Sequence, residues 1–186
     1  MMNPQHSSLV SSSAASGSPM HPALIRPAVP ADYERIGELT VTAYVDGGFL
    51  SPEDSYVVQL RDAASRAQGA QLLVAEVDGE VAASVAITDY GGSYAEVSEP
   101  GELEFRMLAV APDYQGRGIA RQMVRRIIAL AQAREDIHAV TLCSLTSMTA
   151  AHALYRSEGF VEVPERDFIL DLPEKKARFP FFIRKV

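Results

Sequence analysis

The chain has 186 residues, nearly half of them apolar and 22% charged, with a formal charge of −7 and one cysteine, Cys143. That length suits one domain with its own core, and the balance of residues excludes a disordered or fibrous chain. A single thiol excludes an intrachain disulfide and a cysteine-based zinc site; the acidic charge disfavours nucleic acid; and with no apolar run near ~20 residues and no signal-like N-terminus, the expectation is a cytoplasmic protein with no membrane segment.

Residues 1–20 include the run Ser7-Ser8-Leu9-Val10-Ser11-Ser12-Ser13-Ala14-Ala15-Ser16-Gly17-Ser18. Its apolar surface is too small to offset the entropy of ordering, so a disordered tail is expected before a single domain over residues 21–186, with Met20 a second candidate start. Ala23-Leu24-Ile25-Arg26 reads as a short strand. From Pro30 the residues Ile36, Leu39, Ala43 and Tyr44 recur at helical spacing, and Asp32 and Glu34 occupy the first turn, where the helix dipole favours anions. Ser51-Pro52-Glu53-Asp54 reads as the capped, proline-first start of a second helix, with Tyr56, Val57, Leu60 and Ala64 as its buried stripe and an end near Gly69.

Residues 71–77 and 80–88 are β-rich and separated by Asp78-Gly79, a pair that tolerates positive φ at both central positions of a type I′ hairpin. A polar loop over residues 89–101 leads into Glu102-Leu103-Glu104-Phe105-Arg106-Met107-Leu108-Ala109-Val110, apolar enough for a central strand, which Pro112 stops. From Gly116 a long helix carries Ile119, Met123, Ile127 and Ala131 on one ridge and Ala120, Val124 and Ile128 beside it, with Arg121, Arg125 and Arg126 turned outward. Residues 139–144 read as a strand, 149–157 as a short helix stopped by Gly159, and 160–163 and 179–183 as the last strands. The aromatic run Phe179-Pro180-Phe181-Phe182-Ile183 either packs inward or offers a homodimer surface.

A strand, a short loop, two glycines flanking Arg117 and then a long helix together describe an anion site, because free N–H groups at a helix start point outward and glycine permits close approach. The same pattern also fits an ordinary helix start with surface glycines. A Walker loop is excluded because no Gly-Lys-Ser/Thr follows, and the Rossmann fingerprint fails at Arg121, where its third glycine should stand. Gln115-Gly116-Arg117-Gly118-Ile119-Ala120, preceded by Leu108-Ala109-Val110-Ala111-Pro112-Asp113-Tyr114, resembles the Gln/Arg-x-x-Gly-x-Gly/Ala signature of the Gcn5-related N-acetyltransferase (GNAT) family. Downstream, Ala151-His152-Ala153-Leu154-Tyr155-Arg156-Ser157-Glu158-Gly159-Phe160 is similar to that family's second block.

The resemblance implies an α/β GNAT fold: a mixed, mostly antiparallel sheet, splayed at the cofactor site and flanked by helices. It implies acetyl-CoA as acyl donor, with a bulge near Leu108, Ala109 and Val110 whose backbone pairs with the pantetheine arm. The diphosphate is then expected on the N–H groups of Gly116, Arg117, Gly118, Ile119 and Ala120, beside Gln115, with Ala151 and Leu154 of the second block lining the arm. Where relatives carry an asparagine six residues before Leu154, this chain has Met148, so Ser147 or Thr149 must supply the polar contact or it is lost. Glu104, eleven residues before Gln115, matches the position of a general base, against the simpler reading that it and Glu102 are solvated strand carboxylates. Glu96, Glu99 and Glu102 are other acids able to serve or to attract an amine. Tyr155 matches the tyrosine that protonates the departing thiolate, against the reading of a core aromatic.

Cys143 reads as a small buried hydrophobe and His152 as an exposed helix residue, and the histidines show no metal-ligand spacing, so no metal is expected. The expected acceptor is an amine-bearing small molecule or peptide, held by residues 89–104 and the first two helices. The competing reading is a non-catalytic acyl-CoA sensor or interaction module.

Overall fold

The computed structural model describes residues 23–48, 50–172 and 175–186; the expected tail and the Met20 start lie outside the described residues. Strand β1 (Leu24–Pro27) is followed by α1 (Tyr33–Val45), α2 (Tyr56–Arg61), α3 (Ala63–Gly69) and the hairpin β2 (Gln71–Val77) and β3 (Glu80–Asp89). Asp78 and Gly79 both take positive φ, 53° and 84°, as the hairpin reading requires. The long strand β4 (Glu102–Val110), helix α4 (Ile119–Gln132), strand β5 (Ala139–Cys143), helix α5 (Thr149–Ser157) and the short β6 (Val161–Glu162) come next. The chain closes with β7 (Phe168–Leu172), β8 (Lys175–Phe179) and β9 (Phe181–Lys185).

Seven strands form one sheet in the order β1-β2-β3-β4-β5-β9-β6, so β4 is its centre. Every pairing is antiparallel except β4 with β5. The period-two alternation of β2 sends Leu73 and Ala75 into a core with Met123, Ile127 and Phe105, and Leu72 and Val74 into a second core with Ile36 and Ala63. Both sheet faces are therefore covered, by α4 and α5 on one side and α1 to α3 on the other. No described helix is long and apolar enough to cross a membrane.

Three expectations are corrected. The second helix is two: Asp62 leaves helical geometry at φ −80°, ψ 74° and its carboxylate accepts the Ser65 N–H at 2.9 Å, capping α3. The break shifts the buried stripe, so Ala63 and Arg66 face inward while Ala64 is exposed. The buried Arg66 donates to the Leu60 carbonyl at 3.1 Å and to the Met107 sulfur at 3.0 Å, tying this break to the middle of β4. Secondly, α4 begins at Ile119 and not at Gly116, because Gly116 and Gly118 are both left-handed. Thirdly, residues 168–172 and 175–179 form a separate antiparallel pair, so Phe179 ends β8 and the last sheet strand starts at Phe181. Phe181 and Phe182 are completely buried, so most of the aromatic run packs inward within the chain.

Candidate active site

The sheet opens at its centre. Pairing of β4 with β5 runs only from Glu102–Ala139 to Glu104–Thr141, and the β4 edge from Phe105 onward has no strand beside it on that side. On the other edge, Ala86 pairs with Arg106 and Ser84 with Ala109, so β4 carries one residue more than β3 in that interval. Met107 takes φ 55° there, the mark of a bulge that bends the strand away from its neighbour. The bulge thus lies at Met107–Leu108, at the start of the expected segment.

The opening leads into a cleft of about 840 Å³. All the residues expected to hold an acyl-CoA line it except Arg117, which is exposed with its guanidinium 5.0 Å from the centre of the Tyr114 ring. One wall is the edge of Leu108, Ala109 and Val110 that faces away from β3; another is α5 with Ala151, Leu154 and Tyr155. The head of α4 forms the third. Its first intrahelical bond is Gln122 N–H to Gly118, which leaves the N–H groups of the first turn free, and two left-handed glycines before it keep side chains out of the approach. The Gln115 amide donates to the Val110 carbonyl at 3.2 Å, joining the turn to the strand. Arg121, expected to face outward, lines this cleft. It is held by the nearly buried carboxylate of Glu158, which also takes Arg125 at 2.9 Å; these guanidiniums, Arg125 foremost, keep the Glu158 carboxyl below the usual range. Ser147, Met148 and Thr149 all line the cleft, so hydroxyls flank the position where the family pattern has an amide.

Past the bulge, a chamber of about 50 Å³ lies between Tyr155 and Leu108 of the cleft and a second cavity of about 350 Å³. Tyr155 is nearly buried against Phe105, Phe160 and Phe182, and no described residue hydrogen-bonds its hydroxyl. Burial pushes its phenol well above the ordinary range, so it is a proton-bearing donor at any working pH. Tyr44 of α1 lines the same chamber, and burial pushes its phenol up to about 12. Its helical spacing marked it only as core; a second tyrosine here became visible once the fold was known.

Glu104 lines the 350 Å³ cavity, but it is neither solvated nor loosely held. It is 1% exposed, and one carboxylate oxygen, Oε2, accepts the N–H groups of Glu96, Val97 and Ser98 at 2.9, 3.0 and 3.1 Å. The other oxygen lies 3.7 Å from the Arg106 guanidinium, beyond hydrogen-bond reach. Glu102 is also buried. Burial alone would raise its carboxyl, but the two-pronged contact from Arg166 at 2.7 and 2.8 Å and the Glu99 N–H outweigh it and hold it low. Of the loop acids, Glu96 reaches the cavity, paired with Arg106 at 2.6 Å, whereas Glu99 lies 3.8 Å from Arg166 and does not line it.

Cys143 also borders the cavity, and burial pushes its thiol up to about 12, so it carries no thiolate for nucleophilic work. His152 corrects an expectation: it is buried, its ring 5.0 Å from that of Phe182, and its Nε2 has no partner among the described residues. Burial, helped by Arg156, lowers its pKa. An unfolded imidazole titrates near ~6.5, so folding keeps His152 neutral where the unfolded chain takes up a proton. Its contribution is therefore complete above pH ~6.5 and is lost as pH falls below it. His152→Leu should flatten the decline in melting temperature between roughly pH 7.5 and 5.5 relative to wild type; parallel declines would remove His152 as its source.

Compared with known proteins, residues 68–162, half of the chain, match the acetyltransferase (GNAT) domain family. A segment of 64 residues, 34% of this chain, is 42% identical to the N-alpha-acetyltransferase RimI of Mycobacterium tuberculosis, spanning 38% of that relative's length. Among solved structures, a ribosomal-protein-alanine N-acetyltransferase from Brucella melitensis superposes with a TM-score of 0.67 at 23% identity, covering 88% of this chain and 99% of that one. The structure of yncA from Salmonella typhimurium with its cofactor acetyl-CoA gives 0.65 at 21% identity, covering 88% and 93%. At these identities the structures speak for the fold, and the domain match, which runs from α3 across the bulged strand to β6, speaks for the family: the chain belongs to the GNAT acetyltransferases.

Proposed function

We propose that this protein is an N-acetyltransferase that moves the acetyl group of acetyl-CoA directly to a primary amine of a small molecule or peptide, acting in the cytoplasm. The observation that carries this reading is the continuity of two unlike spaces: a cleft with free backbone donors and acceptors meets an acidic cavity at a chamber walled by Tyr155.

Acetyl-CoA supplies a thioester, whose carbonyl carbon is attacked. The first-turn N–H groups of α4 and the side chain of Arg121 suit its diphosphate, and the unpaired edge of Leu108, Ala109 and Val110 suits the amides of its arm. Ser147 or Thr149 takes the polar contact that Met148 cannot make. Glu104 draws the ammonium to the chamber and takes its proton on Oε1, directly or through one water, since Oε2 is already filled by three N–H groups. The amine nitrogen then bonds to the acyl carbon and the carbon–sulfur bond breaks; Tyr155 donates its hydroxyl proton to the departing sulfur as it recovers the nitrogen's second proton, directly or through one water, so that a neutral amide, the CoA thiol and the phenol result. Holding both partners in line across the chamber supplies acceleration by proximity.

Glu104→Gln tests the base. The amide oxygen can still accept the three backbone N–H groups, so the loop stays in place while proton acceptance is lost. The expected outcome is a lower kcat/KM and a pH–rate profile of changed shape; a profile matching wild type removes Glu104 from the mechanism.

A further inference from the structure

From the walls of the 350 Å³ cavity we infer the acceptor's class: a primary amine on one uncharged, apolar body about the size of a ring with a short alkyl arm, not a polyamine, a sugar-based amine or a peptide. This rests on the transferase reading above and narrows it. The cavity has two unlike ends. At the β4 end stand Glu104 and the Arg106–Glu96 pair, and Asp54 from before α2 also lines the cavity; Arg106 is the one cationic side chain among the described lining residues, so the net charge there is negative and favours an ammonium.

The other end is the β7–β8 hairpin. Its register pairs Phe168 with Phe179 and Leu170 with Ala177, so these four side chains share one face, and all four line the cavity. The rings of Phe168 and Phe179 meet at 5.6 Å and an interplanar angle of 60°, while Ile169 and Arg178 on the opposite face are exposed. The hairpin pairs with no strand of the main sheet. It is fixed instead by its ends, where the Asp167 carboxylate accepts the Phe181 N–H at 2.9 Å and binds the Arg178 guanidinium, and Thr146 donates to the Arg178 carbonyl at 2.9 Å. It is a flap over the acceptor space, apolar on the inside.

An ammonium at Glu104 leaves the rest of its molecule against Leu170, Phe168 and Phe179. A second ammonium or a ring of hydroxyls would be desolvated against that wall with no polar partner among the hairpin's described lining side chains. A ring or alkyl chain gains by removing apolar surface from water. A peptide would place its polar backbone against the same wall, with buried N–H and C=O groups unpaired.

The test is initial-rate thiol release from acetyl-CoA with phenethylamine, n-hexylamine, spermidine, kanamycin and an alanine-led tetrapeptide. Phenethylamine or hexylamine should exceed the other three in kcat/KM by at least about tenfold. Leu170→Asp should lower that ratio by about tenfold or more and Leu170→Met should keep it, with acetyl-CoA affinity unchanged in both. Turnover that favours spermidine, kanamycin or the peptide overturns the acceptor class and leaves the transferase reading intact, as does a ratio unmoved in a folded Leu170→Asp protein. No release with any amine overturns both.

Discussion

Tyr155→Phe should lower kcat by about 100-fold or more while leaving acyl-CoA affinity within about twofold of wild type, the range expected when a positioned proton donor is removed. The ring is packed edge-on against Phe105 and Phe182, and phenylalanine keeps those contacts, so only the hydroxyl is lost. No described side chain uses that hydroxyl, so its removal orphans no partner and should cost little stability. Because burial raises the phenol above the ordinary range, full proton transfer to a free thiolate would run uphill. Tyr155 therefore donates a hydrogen bond while the carbon–sulfur bond is breaking, and gives up its proton only as it recovers the second proton of the attacking nitrogen. Stopped-flow with single turnover separates this from slow product release. Unchanged single-turnover rates in Tyr155→Phe would assign the donor's role elsewhere, and Tyr44 across the chamber is the alternative the geometry offers.

Gly118→Val should weaken acyl-CoA binding by about 30-fold or more. Gly118 caps α4 at φ 74°, a conformation that costs an L-residue roughly 1–2 kcal/mol and more for a β-branched one. Valine would either pull the turn out of this conformation, turning the first N–H groups of α4 away from the cleft, or stay and place two methyls at their mouth. Both reduce affinity; neither touches Tyr155 or Glu104, so the effect should fall on KM for acetyl-CoA far more than on kcat. Calorimetric titration with CoA reads it directly. An affinity within threefold of wild type would mean that the diphosphate is not held by this turn.

Apart from the split between α2 and α3, the order of elements through α5 was legible because each signal was local. Asp78-Gly79 forces a hairpin, the spacing of Ile119, Met123 and Ile127 forces an amphipathic helix, and Gly159 at φ 85° ends α5 where a left-handed residue was expected. The glycine turn was legible as a place of close approach to the main chain but not in its bounds, since the left-handed Gly116 and Gly118 delay the helix from Gly116 to Ile119. What escaped depended on the chain folding back, from the loop just before β4 or from elements far along the sequence. Glu102 and Glu104 look like solvated strand acids until Arg166 and the amides of residues 96–98 fold over them. His152 looks exposed on its helix until Phe182 of β9 covers it.

The β7–β8 flap escaped for a different reason. Phe168-Ile169-Leu170 is apolar on both faces, Pro173 interrupts the segment, and Lys175-Lys176 opens the second strand, so neither alternation nor a turn pair stands out. Asp62 was available and overlooked. An aspartate three residues before Ser65 is a helix-start signal, and it lay within a stretch read as one helix.

Mass spectrometry of the products reads transfer from acetyl-CoA to an amine without an intermediary. The protein is incubated with acetyl-CoA carrying a carbon-13 label in its acetyl group, together with phenethylamine and the other amines named above. Labelled N-acetyl product and free CoA should appear in equal amounts, with no labelled protein accumulating at Cys143. Tight CoA binding, seen as a thermal shift, with no labelled amide from any amine would contradict that transfer and leave a sensor of acyl-CoA in its place.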